Sequence, residues 1–249
     1  MAGSQAVIEI RQMCQFEEFA EAVRLQQTIW GFADSEMLPL RSFVVYREIG
    51  GQLFGAYDGD EMVGFLIAVP GIKPGPRPYL HSHMLGVLPA RRNSGIGRRL
   101  KLRQREEALE RGIELIEWTF DPLELKNAFF NLERLGAVVR QYSENQYGVT
   151  DSPLHGGLPT DRCIAEWWVD SPRVRAVLAG EAVERRTEEA ERIVFPADIA
   201  RIRSEDPGHA REIQKTNGEK FQRAFERGLA VTGFERSETE GAYLLEPWP

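Results

Sequence analysis

The pattern of hydrophobic and polar positions predicts a chain of intermixed strands and helices. Strands are indicated where apolar and polar side chains alternate, and helices where apolar residues recur every three to four positions. This rule predicts a first helix over Phe16–Trp30, which ends before Gly31, and a later helix over residues 95–111. Strands are predicted at residues 6–11, 43–46, 52–57, 62–69, 79–88 and 114–120.

Turn residues mark the boundaries between these elements. Asp58-Gly59-Asp60 separates two apolar runs and predicts a type I′ hairpin turn, because glycine accepts a positive φ. Residues 70–78 hold four prolines and two glycines, which predicts a loop. Asp121 and Pro122 are typical of the N-cap and first position of a helix, which we expect to end at Gly136.

The second half of the chain continues with both kinds of element. Residues 137–168 predict a strand, a loop at 152–159 and a second strand, and the acidic, arginine-rich residues 180–192 are a candidate linker or a short solvated helix. We expect two domains, residues 1–170 and a C-terminal extension, residues 171–249. Elements of the extension are predicted at residues 174–178, 192–196, 209–227, 229–234 and 242–245. The order is that of an α/β fold without the strict alternation of a doubly wound nucleotide-binding sheet.

Composition narrows the class of protein. The 249 residues are 42% hydrophobic and 28% charged, as in ordinary soluble domains, and the net charge of −7 argues against a general nucleic-acid binder. Cys14 and Cys163 form no metal-ligand or disulfide pattern, so we expect a reducing cytoplasm and no metal site. The N-terminus lacks the apolar run of a signal peptide, and no run of 18 apolar residues predicts a membrane span.

One predicted strand leads into a turn rich in glycine and arginine. The strand at 79–88 is followed by Pro89 and by the sequence Arg92-Asn93-Ser94-Gly95-Ile96-Gly97-Arg98. Gly95 and Gly97 have no side chains to screen the backbone, so an anion can approach the N–H groups of the first helical turn. The helix dipole and the arginines at 91, 92, 98 and 99 add positive charge. The turn is therefore a candidate site for a pyrophosphate group.

Two common phosphate loops do not fit this turn. A Walker loop needs Gly-Lys-Ser/Thr, whereas Arg98 follows Gly97, and a dinucleotide fingerprint needs a third glycine where Leu100 stands. The segment instead resembles the acyl-CoA-binding motif of the GNAT acyltransferase superfamily, in which Arg/Gln-x-x-Gly-x-Gly/Ala follows a strand that ends Leu-x-Val-x-Pro. The residues that match in register are Leu85, Val87, Pro89, Arg92, Gly95 and Gly97. A basic surface turn before an ordinary helix is the alternative.

The resemblance, which covers about residues 6–170, implies a fold and a cosubstrate. The implied fold is a mixed, largely antiparallel sheet with splayed central parallel strands, flanked by helices, with the C-terminal residues as an α+β extension. The implied cosubstrate is acetyl-CoA or another acyl-CoA, its pyrophosphate on the turn amides and its pantetheine arm along the preceding strand. The residues predicted to bind it are Val87, Leu88, Pro89, Arg92, Asn93, Ser94, Gly95, Ile96, Gly97, Arg98 and, from a later helix, Asn127.

His81 and His83 are the candidate catalytic residues. Strand alternation predicts both on the face of Leu85 and Val87, and the segment resembles His-x-His-x-Leu-x-Val of the arylalkylamine N-acetyltransferases, which relay the amine proton through such a pair. Histidine suits this task because its pKa lies near neutrality. Ordinary strand histidines or a metal-binding pair are the alternatives. The resemblance also implies an oxyanion donor among the main-chain N–H groups near Gly86.

Candidates for the acid that protonates the leaving thiolate are weaker. The family often carries a tyrosine where Leu132 stands here. The remaining candidates for the acid are Tyr142 and Tyr147, and the alternative is that the thiolate leaves without an acid. Arg162 is a candidate partner for the carboxylate of an amino-acid acceptor, with a structural pair between Asp161 and Arg162 as the alternative.

The sequence thus predicts an N-acyltransferase that moves an acetyl or larger acyl group from acyl-CoA to a primary amine of a small molecule. A catalytically silent CoA-binding regulator and a protein N-acetyltransferase are the alternatives. No nucleic-acid or membrane partner is expected. Three alternative roles are expected for the C-terminal extension: it completes the sheet, covers the acceptor site or forms the contact of a homodimer.

Overall fold

The chain folds as two units, each described by itself. The computed structural model describes residues 8–73, 77–148, 156–183 and 190–248. The first unit runs to Ile116 and the second begins at Glu117. Strand β5 (Leu115–Phe120) crosses this boundary.

The first unit is an antiparallel meander with helices beside it. Its strands follow the order β1-β2-β3-β4, and each pairs antiparallel with the next. The elements are β1 (Glu9–Gln12), α1 (Phe16–Trp30), α2 (Leu40–Glu48), β2 (Gln52–Asp58), β3 (Glu61–Ile72), β4 (Pro78–Val87), a short 3₁₀ turn (Pro89–Arg91) and α3 (Ile96–Glu110).

Helix α1 begins and ends where the sequence predicts. A capping box formed by Gln15 and Glu18 satisfies N–H groups at its start, and Gly31 ends it with a φ of 69°. Its apolar face packs on a core that contains Phe19, Phe43 and Leu25 among its largest members. The aromatic rings of Phe19 and Phe43 stack with centroids 5.8 Å apart, so α1 and α2 are joined through this core.

Two local predictions in the first unit are wrong. The strand predicted at residues 43–46 is part of helix α2, in which Phe43 is buried, Val44 and Tyr46 are partly buried and Val45 is exposed. At the hairpin between β2 and β3, Asp58 pairs with Glu61. Gly59 has a φ of 62°, but Asp60 has no positive φ, so the turn is not of type I′.

The second unit contains the rest of β5 and the remaining elements. Its strands follow the order β5-β7-β6-β9-β10-β8, with antiparallel pairing between β6 and β7, β6 and β9, β9 and β10, and β10 and β8. The elements are α4 (Leu125–Phe129), a π-helical turn (Phe130–Arg134), β6 (Val138–Ser143), β7 (Arg162–Trp168), α5 (Pro172–Ala179), β8 (Glu191–Pro196), α6 (Ile199–Glu205), α7 (Pro207–Glu226), β9 (Leu229–Arg236) and β10 (Glu240–Pro247).

The C-terminal residues complete the sheet of this unit. Val231 of β9 pairs with Val139 of β6, so the extension adds strands to the part of the chain that precedes it. The core is aromatic: the Tyr243 ring lies 5.1 Å from that of Phe221 and 5.6 Å from that of Phe195, edge to face in both cases. One of the three expected roles of the extension is therefore observed.

The helix after β5 starts later than predicted. The Asp121 carboxylate accepts hydrogen bonds from the backbone N–H of Leu123 at 2.8 Å and from Arg203 at 3.2 Å, so it closes a tight turn instead of capping a helix. The helix begins at Leu125, and its end widens into the π-helical turn.

The predicted class is confirmed, because helices flank a mixed set of strands that pair mostly antiparallel and in an order with crossovers. The splay of the central parallel strands and the domain boundary at residue 170 stay predictions. Parts of the predicted segments, at residues 6–7, 74–76, 152–155 and 184–189, lie outside the described residues. Within the described residues, no helix combines the length and apolar character needed to cross a bilayer.

Candidate acyl-CoA site

Strand β4 carries a bulge at His83. Met84 pairs with Ile67 of β3, but the next paired residues are Ser82 and Ala68, so His83 has no partner across the ladder. Such an extra residue interrupts the alternation of side chains between the two faces of a strand.

The bulge changes the face on which His81 lies. Cross-strand partners share a face, so Leu85 and Ser82 lie together with Leu66 and Ala68, while Met84 and His81 lie on the other face. The prediction that His81 shares the face of Leu85 and Val87 is therefore wrong. Strict alternation fails because one extra residue shifts every position before it to the opposite side.

The two histidines nevertheless lie close together. Their ring centroids are 6.3 Å apart and the rings are tilted by 44°. Burial, and then the nearby basic groups His83, Lys101 and Lys73, lower the pKa of His81 to about 4. Burial also lowers the pKa of His83, which has its outer edge exposed. Both rings are therefore neutral at pH 7, and the lowered pKa makes each a weaker base than an exposed histidine.

The face that carries His81 packs against helix α1. A side chain at Gly86 would meet Ile29 at 2.9 Å and Trp30 at 3.0 Å, so only glycine allows α1 to approach β4 this closely. The opposite face packs against α3.

Positive φ angles shape the turn between β4 and α3. Asn93 has a φ of 61° and Gly95 a φ of 83°, and Gly95 is the N-cap residue of α3. The hydroxyl of Ser94 donates to the Arg91 carbonyl at 2.6 Å, which ties the turn to the preceding 3₁₀ segment. The polar atoms of Asn93 and Ser94 lie on an exposed turn, as an anion site requires.

The start of α3 presents backbone N–H groups that the helix itself does not use. Its first i to i−4 hydrogen bond runs from the N–H of Arg99 to the carbonyl of Gly95 at 3.0 Å, so the N–H groups of Ile96 and Gly97 precede the helical ladder. A Cβ atom at Gly97 would meet Leu85 at 3.6 Å and nothing nearer, and one at Gly95 would meet no atom within 4 Å. The backbone here is open to a ligand.

The side chains of Ile96, Arg98 and Arg99 have different surroundings. Ile96 is buried and anchors the first helical turn, whereas Arg98 is half-buried. Arg99 donates to the carbonyl of Ile8 at 2.5 Å. The two arginines therefore do not act alike, and the anchoring of Arg99 was not visible in the sequence.

Arg91 and Arg92 brace the turn. Arg92 donates to the carbonyl of Ile29 at 3.2 Å and approaches that of Val87 at 3.5 Å, and Arg91 forms an ion pair with Asp58. A guanidinium has five N–H donors, so Arg92 can hold these carbonyls and still meet an anion. The structure thus gives Arg92 a structural contact that sequence reasoning missed.

The main chain of Val87 faces away from β3. The N–H of Leu88 donates to the carbonyl of Val63 at 2.9 Å, so Leu88 is directed towards β3. Because main-chain groups alternate in direction along an antiparallel strand, those of Val87 point to the other side of β4. This is the direction needed for the predicted pairing with a pantetheine arm and for an oxyanion donor.

Sequence reasoning also missed a buried polar group beneath β4. Lys101 donates to the hydroxyl of Ser82 at 2.9 Å and to the side-chain oxygen of Gln104 at 3.0 Å, and all three residues are buried. Burial lowers the pKa of Lys101 well below its ordinary value. The signal was present: Lys101 and Gln104 share a helical face with Leu100 and Ala108, where charged residues are unusual.

The candidates in the second unit have separate roles. Asn127 is exposed on α4, while Asn131 is buried in the π-helical turn. Leu132, which stands where the family often has tyrosine, is a fully buried core residue. The part of Asn127 in binding CoA stays a prediction.

Tyr142 is held by a structural contact. Its hydroxyl donates to the Asp161 carboxylate at 2.6 Å, which also accepts from the backbone N–H of Asn145 at 2.9 Å. Burial and this hydrogen bond raise the pKa of Tyr142 well above its ordinary value. Such a phenol keeps its proton and is bound to Asp161, so its position favours a structural role.

Arg162 and Tyr147 contact one another. The Arg162 guanidinium lies 5.3 Å from the centre of the Tyr147 ring and donates to the backbone carbonyl of Asp161 at 3.2 Å. The Tyr147 hydroxyl lies 2.8 Å from that of Thr119. The Asp161 carboxylate is engaged by Tyr142 and Asn145, while Arg162 contacts the main-chain carbonyl of Asp161.

Comparison with known proteins places this geometry in a family. The sequence profile described as the acetyltransferase (GNAT) family matches residues 7–136, just over half of the chain, and includes β4, the glycine turn and α3. The chain belongs to the GNAT acetyltransferase family. No curated protein sequence matches it significantly.

Solved GNAT structures share the fold. YncA from Salmonella typhimurium, solved with its cofactor acetyl-CoA, is 17% identical with a TM-score of 0.54, covering 66% of this chain and 95% of that one. The ribosomal-protein-S18-alanine N-acetyltransferase from Escherichia coli is 15% identical with a TM-score of 0.52, covering 74% and 100%. Aminoglycoside 6'-acetyltransferase type Ii is 20% identical with a TM-score of 0.51, covering 66% and 98%. At these identities the likeness concerns the fold.

No group of three or more His, Cys, Asp or Glu side chains within the described ranges is arranged to hold a metal ion. His81 and His83 are thus not joined there by a third such ligand.

Proposed function

We propose that this GNAT protein transfers an acetyl or larger acyl group from acyl-CoA to a primary amine of a small molecule. The observation that carries the proposal is the open turn at Gly95 and Gly97, where N–H groups of the first turn of α3 precede the helical ladder. The family match supports acyl-CoA as the cosubstrate, and the turn fits its pyrophosphate because no side chain fills the space above the two glycines.

The residues proposed to hold acyl-CoA have distinct tasks. The backbone of residues 93–97 binds the pyrophosphate, with Arg92 and Arg98 supplying positive charge. The outward main-chain groups of Val87 bind the pantetheine arm and stabilise the oxyanion, and Asn127 is proposed as a further contact with the cosubstrate.

His83 and His81 are the proposed route for the amine proton. Both rings are neutral at pH 7, and they lie 6.3 Å apart, a distance that one water molecule can bridge. The bulge places His83 outside the β-ladder, with an exposed edge from which it can reach an acceptor. The acceptor amine loses its proton to one histidine as it attacks the thioester carbonyl.

A small-molecule acceptor is the finer part of the proposal. The His-x-His segment supports it through its resemblance to the arylalkylamine enzymes. The structural relatives include an enzyme named for an aminoglycoside and one named for a ribosomal protein, so the fold alone favours neither class. A cytoplasmic location is proposed from Cys14 and Cys163, which are both free thiols.

A catalytically silent CoA-binding regulator is the second candidate. Leu132 is fully buried where the family often has a tyrosine, and the Tyr142 hydroxyl is held by Asp161, so neither supplies an acid for the leaving thiolate. This reading predicts CoA binding without turnover.

The deciding experiment measures CoA release over a panel of acyl-CoAs and amines, together with CoA binding by calorimetry. Gly97→Glu places bulk and negative charge at the turn, and we expect it to weaken CoA binding by about 100-fold or more. Gly97→Ala is the matched control, because its methyl group makes an ordinary contact with Leu85. CoA binding that Gly97→Glu leaves unchanged would show that the site is elsewhere, and binding without turnover for every amine would favour the regulator.

A further inference from the structure

A cleft in the second unit has the features of a binding site. Its volume is about 410 Å³, and it lies between the π-helical turn, the end of α5 and the strands β9 and β10. Residues that line it and matter below are Glu133, Val177, Thr232, Phe234, Leu244 and Glu246. All belong to the second unit, and none is part of the proposed acyl-CoA site.

A buried carboxylate lines the cleft. Glu246 is 4% exposed, and its Oε2 atom accepts a hydrogen bond from the Thr232 hydroxyl at 2.9 Å. Its Oε1 atom is buried and has no hydrogen-bond partner among the residues that the structure describes. Buried carboxylate oxygens normally accept hydrogen bonds or meet a cation, so this atom points to a missing donor.

Two irregularities of the backbone meet at the same cleft. The register of β9 and β10 shifts so that Leu244 pairs with Gly233 and Leu245 with Val231, which leaves Thr232 as a bulge. Across the cleft, the π-helical turn supplies Glu133, which accepts from the N–H of Phe234 at 2.7 Å. Bulges and π-helical turns both occur frequently at functional sites.

The charge of the cleft is negative. Glu235 is ion-paired with Arg192, which leaves Glu133, Glu181 and Glu246 against Arg134 and Arg173. Arg173 donates to the backbone carbonyls of Gly136 and Thr232, and Arg134 lies over the Phe129 ring, 5.3 Å from its centre. The arginines are thus engaged with backbone and ring, whereas the carboxylate of Glu246 retains an unused oxygen.

The chemistry of the lining selects the class of ligand. Carboxylate and hydroxyl oxygens accept hydrogen bonds, and Val177 and Leu244 offer apolar contact beside them. Among the described residues, no three His, Cys, Asp or Glu side chains are grouped as metal ligands. We propose that this cleft binds a small organic ammonium compound, with the N–H donors of the ammonium group at Glu246 and a short aliphatic chain against Val177 and Leu244.

The test uses three five-carbon probes on the full chain at pH 7, by calorimetry at constant ionic strength. We expect 1,5-diaminopentane to bind saturably with one site per chain, and 1,5-pentanediol and glutarate not to bind. Glu246→Gln keeps the shape of the side chain and removes its charge, so it should weaken binding of the diamine about tenfold or more. Glu238→Gln, at an exposed position outside the cleft, should leave the affinity unchanged.

Amide chemical shifts provide a second measurement that does not depend on the variants. The diamine should shift the backbone signals of Thr232, Gly233 and Phe234 in the wild-type protein. Equal binding of the diol, equal affinity in Glu246→Gln, or shifts confined to other residues would overturn the proposal. None of these outcomes bears on CoA binding, which is measured separately.

Discussion

The Nζ atom of Lys101 lies 2.9 Å from the Oγ atom of Ser82, in the interior between helix α3 and strand β4. Lys101 is 2% exposed and Ser82 is 6% exposed. Burial lowers the pKa of Lys101, because an ammonium loses its hydration there. Because the pKa of Lys101 is lower in the folded protein than in the unfolded chain, the stability of the protein depends on pH.

We expect Lys101→Met to remove part of the dependence of stability on alkaline pH. The unfolded lysine binds a proton up to about pH 10.4, whereas the folded residue releases it at lower pH, so the unfolding free energy of the wild type rises with pH in that interval. For one proton, the unfolding free energy of the wild type should rise by about 1.4 kcal/mol per pH unit more than that of Lys101→Met. Urea denaturation between pH 7 and 10 measures it.

Lys215→Met is the matched control for this experiment, because Lys215 is exposed on helix α7. It should keep the wild-type slope. A slope in Lys101→Met equal to that of the wild type would mean that Lys101 is protonated in the folded state.

Acid should destabilise the protein partly through His81. The pKa of this residue is lowered to about 4, while an unfolded histidine titrates near 6.5. The unfolded state therefore binds more protons between these values, and stability falls as the pH drops from 6.5 towards 4. We expect His81→Asn to recover on the order of 2–3 kcal/mol of that loss, measured by denaturation at pH 7 and pH 4.5.

The exposed His209 on α7 supplies the comparison, since His209→Asn should follow the wild-type curve. Nuclear magnetic resonance titration of His81 gives an independent check. A pKa of 6 or above in the folded protein contradicts the prediction.

Replacing both strand histidines should impair catalysis and spare binding. For a general base, His81→Ala together with His83→Ala lowers kcat/KM by about 10²–10⁴-fold, with the smallest loss at high pH, where the amine is already deprotonated. CoA affinity should stay within a factor of two or so, because neither ring is part of the proposed pyrophosphate turn. Steady-state kinetics from pH 6 to 10 measure both. Rates near wild type at neutral pH would assign the proton transfer to water.

Tyr142→Phe should lower stability and leave turnover intact. The variant removes the hydrogen bond to the Asp161 carboxylate and keeps the stacking on Phe221, whose ring lies 5.5 Å away. Loss of one partner of a buried carboxylate costs about 1–3 kcal/mol, which thermal or urea unfolding detects. Tyr147→Phe is the companion variant, since its hydroxyl bonds to Thr119 at an exposed position. A large fall in kcat in Tyr142→Phe at unchanged stability would contradict the structural role.

The sequence was informative where one local rule decides the structure. The turn before α3 follows from backbone chemistry alone, because glycine permits the positive φ found at Gly95. The end of helix α1 at Gly31 and the hairpin at Gly59 were predicted for the same reason. Apolar periodicity likewise located most of the strands and helices.

The sequence was less informative where a residue distant along the chain determines the local structure. The bulge at His83 depends on how β3 pairs with β4, and the sequence of β4 alone does not predict it. The Asp121 carboxylate closes a turn with the N–H of Leu123 and also meets Arg203, a partner far along the chain. Strand alternation and capping preferences are local rules that do not take distant partners into account. The face of His81 and the N-cap at Asp121 were therefore predicted wrongly.

The pairing of β9 with β6 sets a lower limit on the length of a working enzyme. The segment that the family shares ends well before β9, yet a chain cut after residue 170 would leave β6 with unpaired main-chain groups along one side and would uncover the ring of Tyr142. Exposed strands of this kind recruit copies of themselves, so such a fragment should aggregate instead of folding. Minimal versions for screening or directed evolution therefore have to retain the C-terminal residues, even if these never touch a substrate.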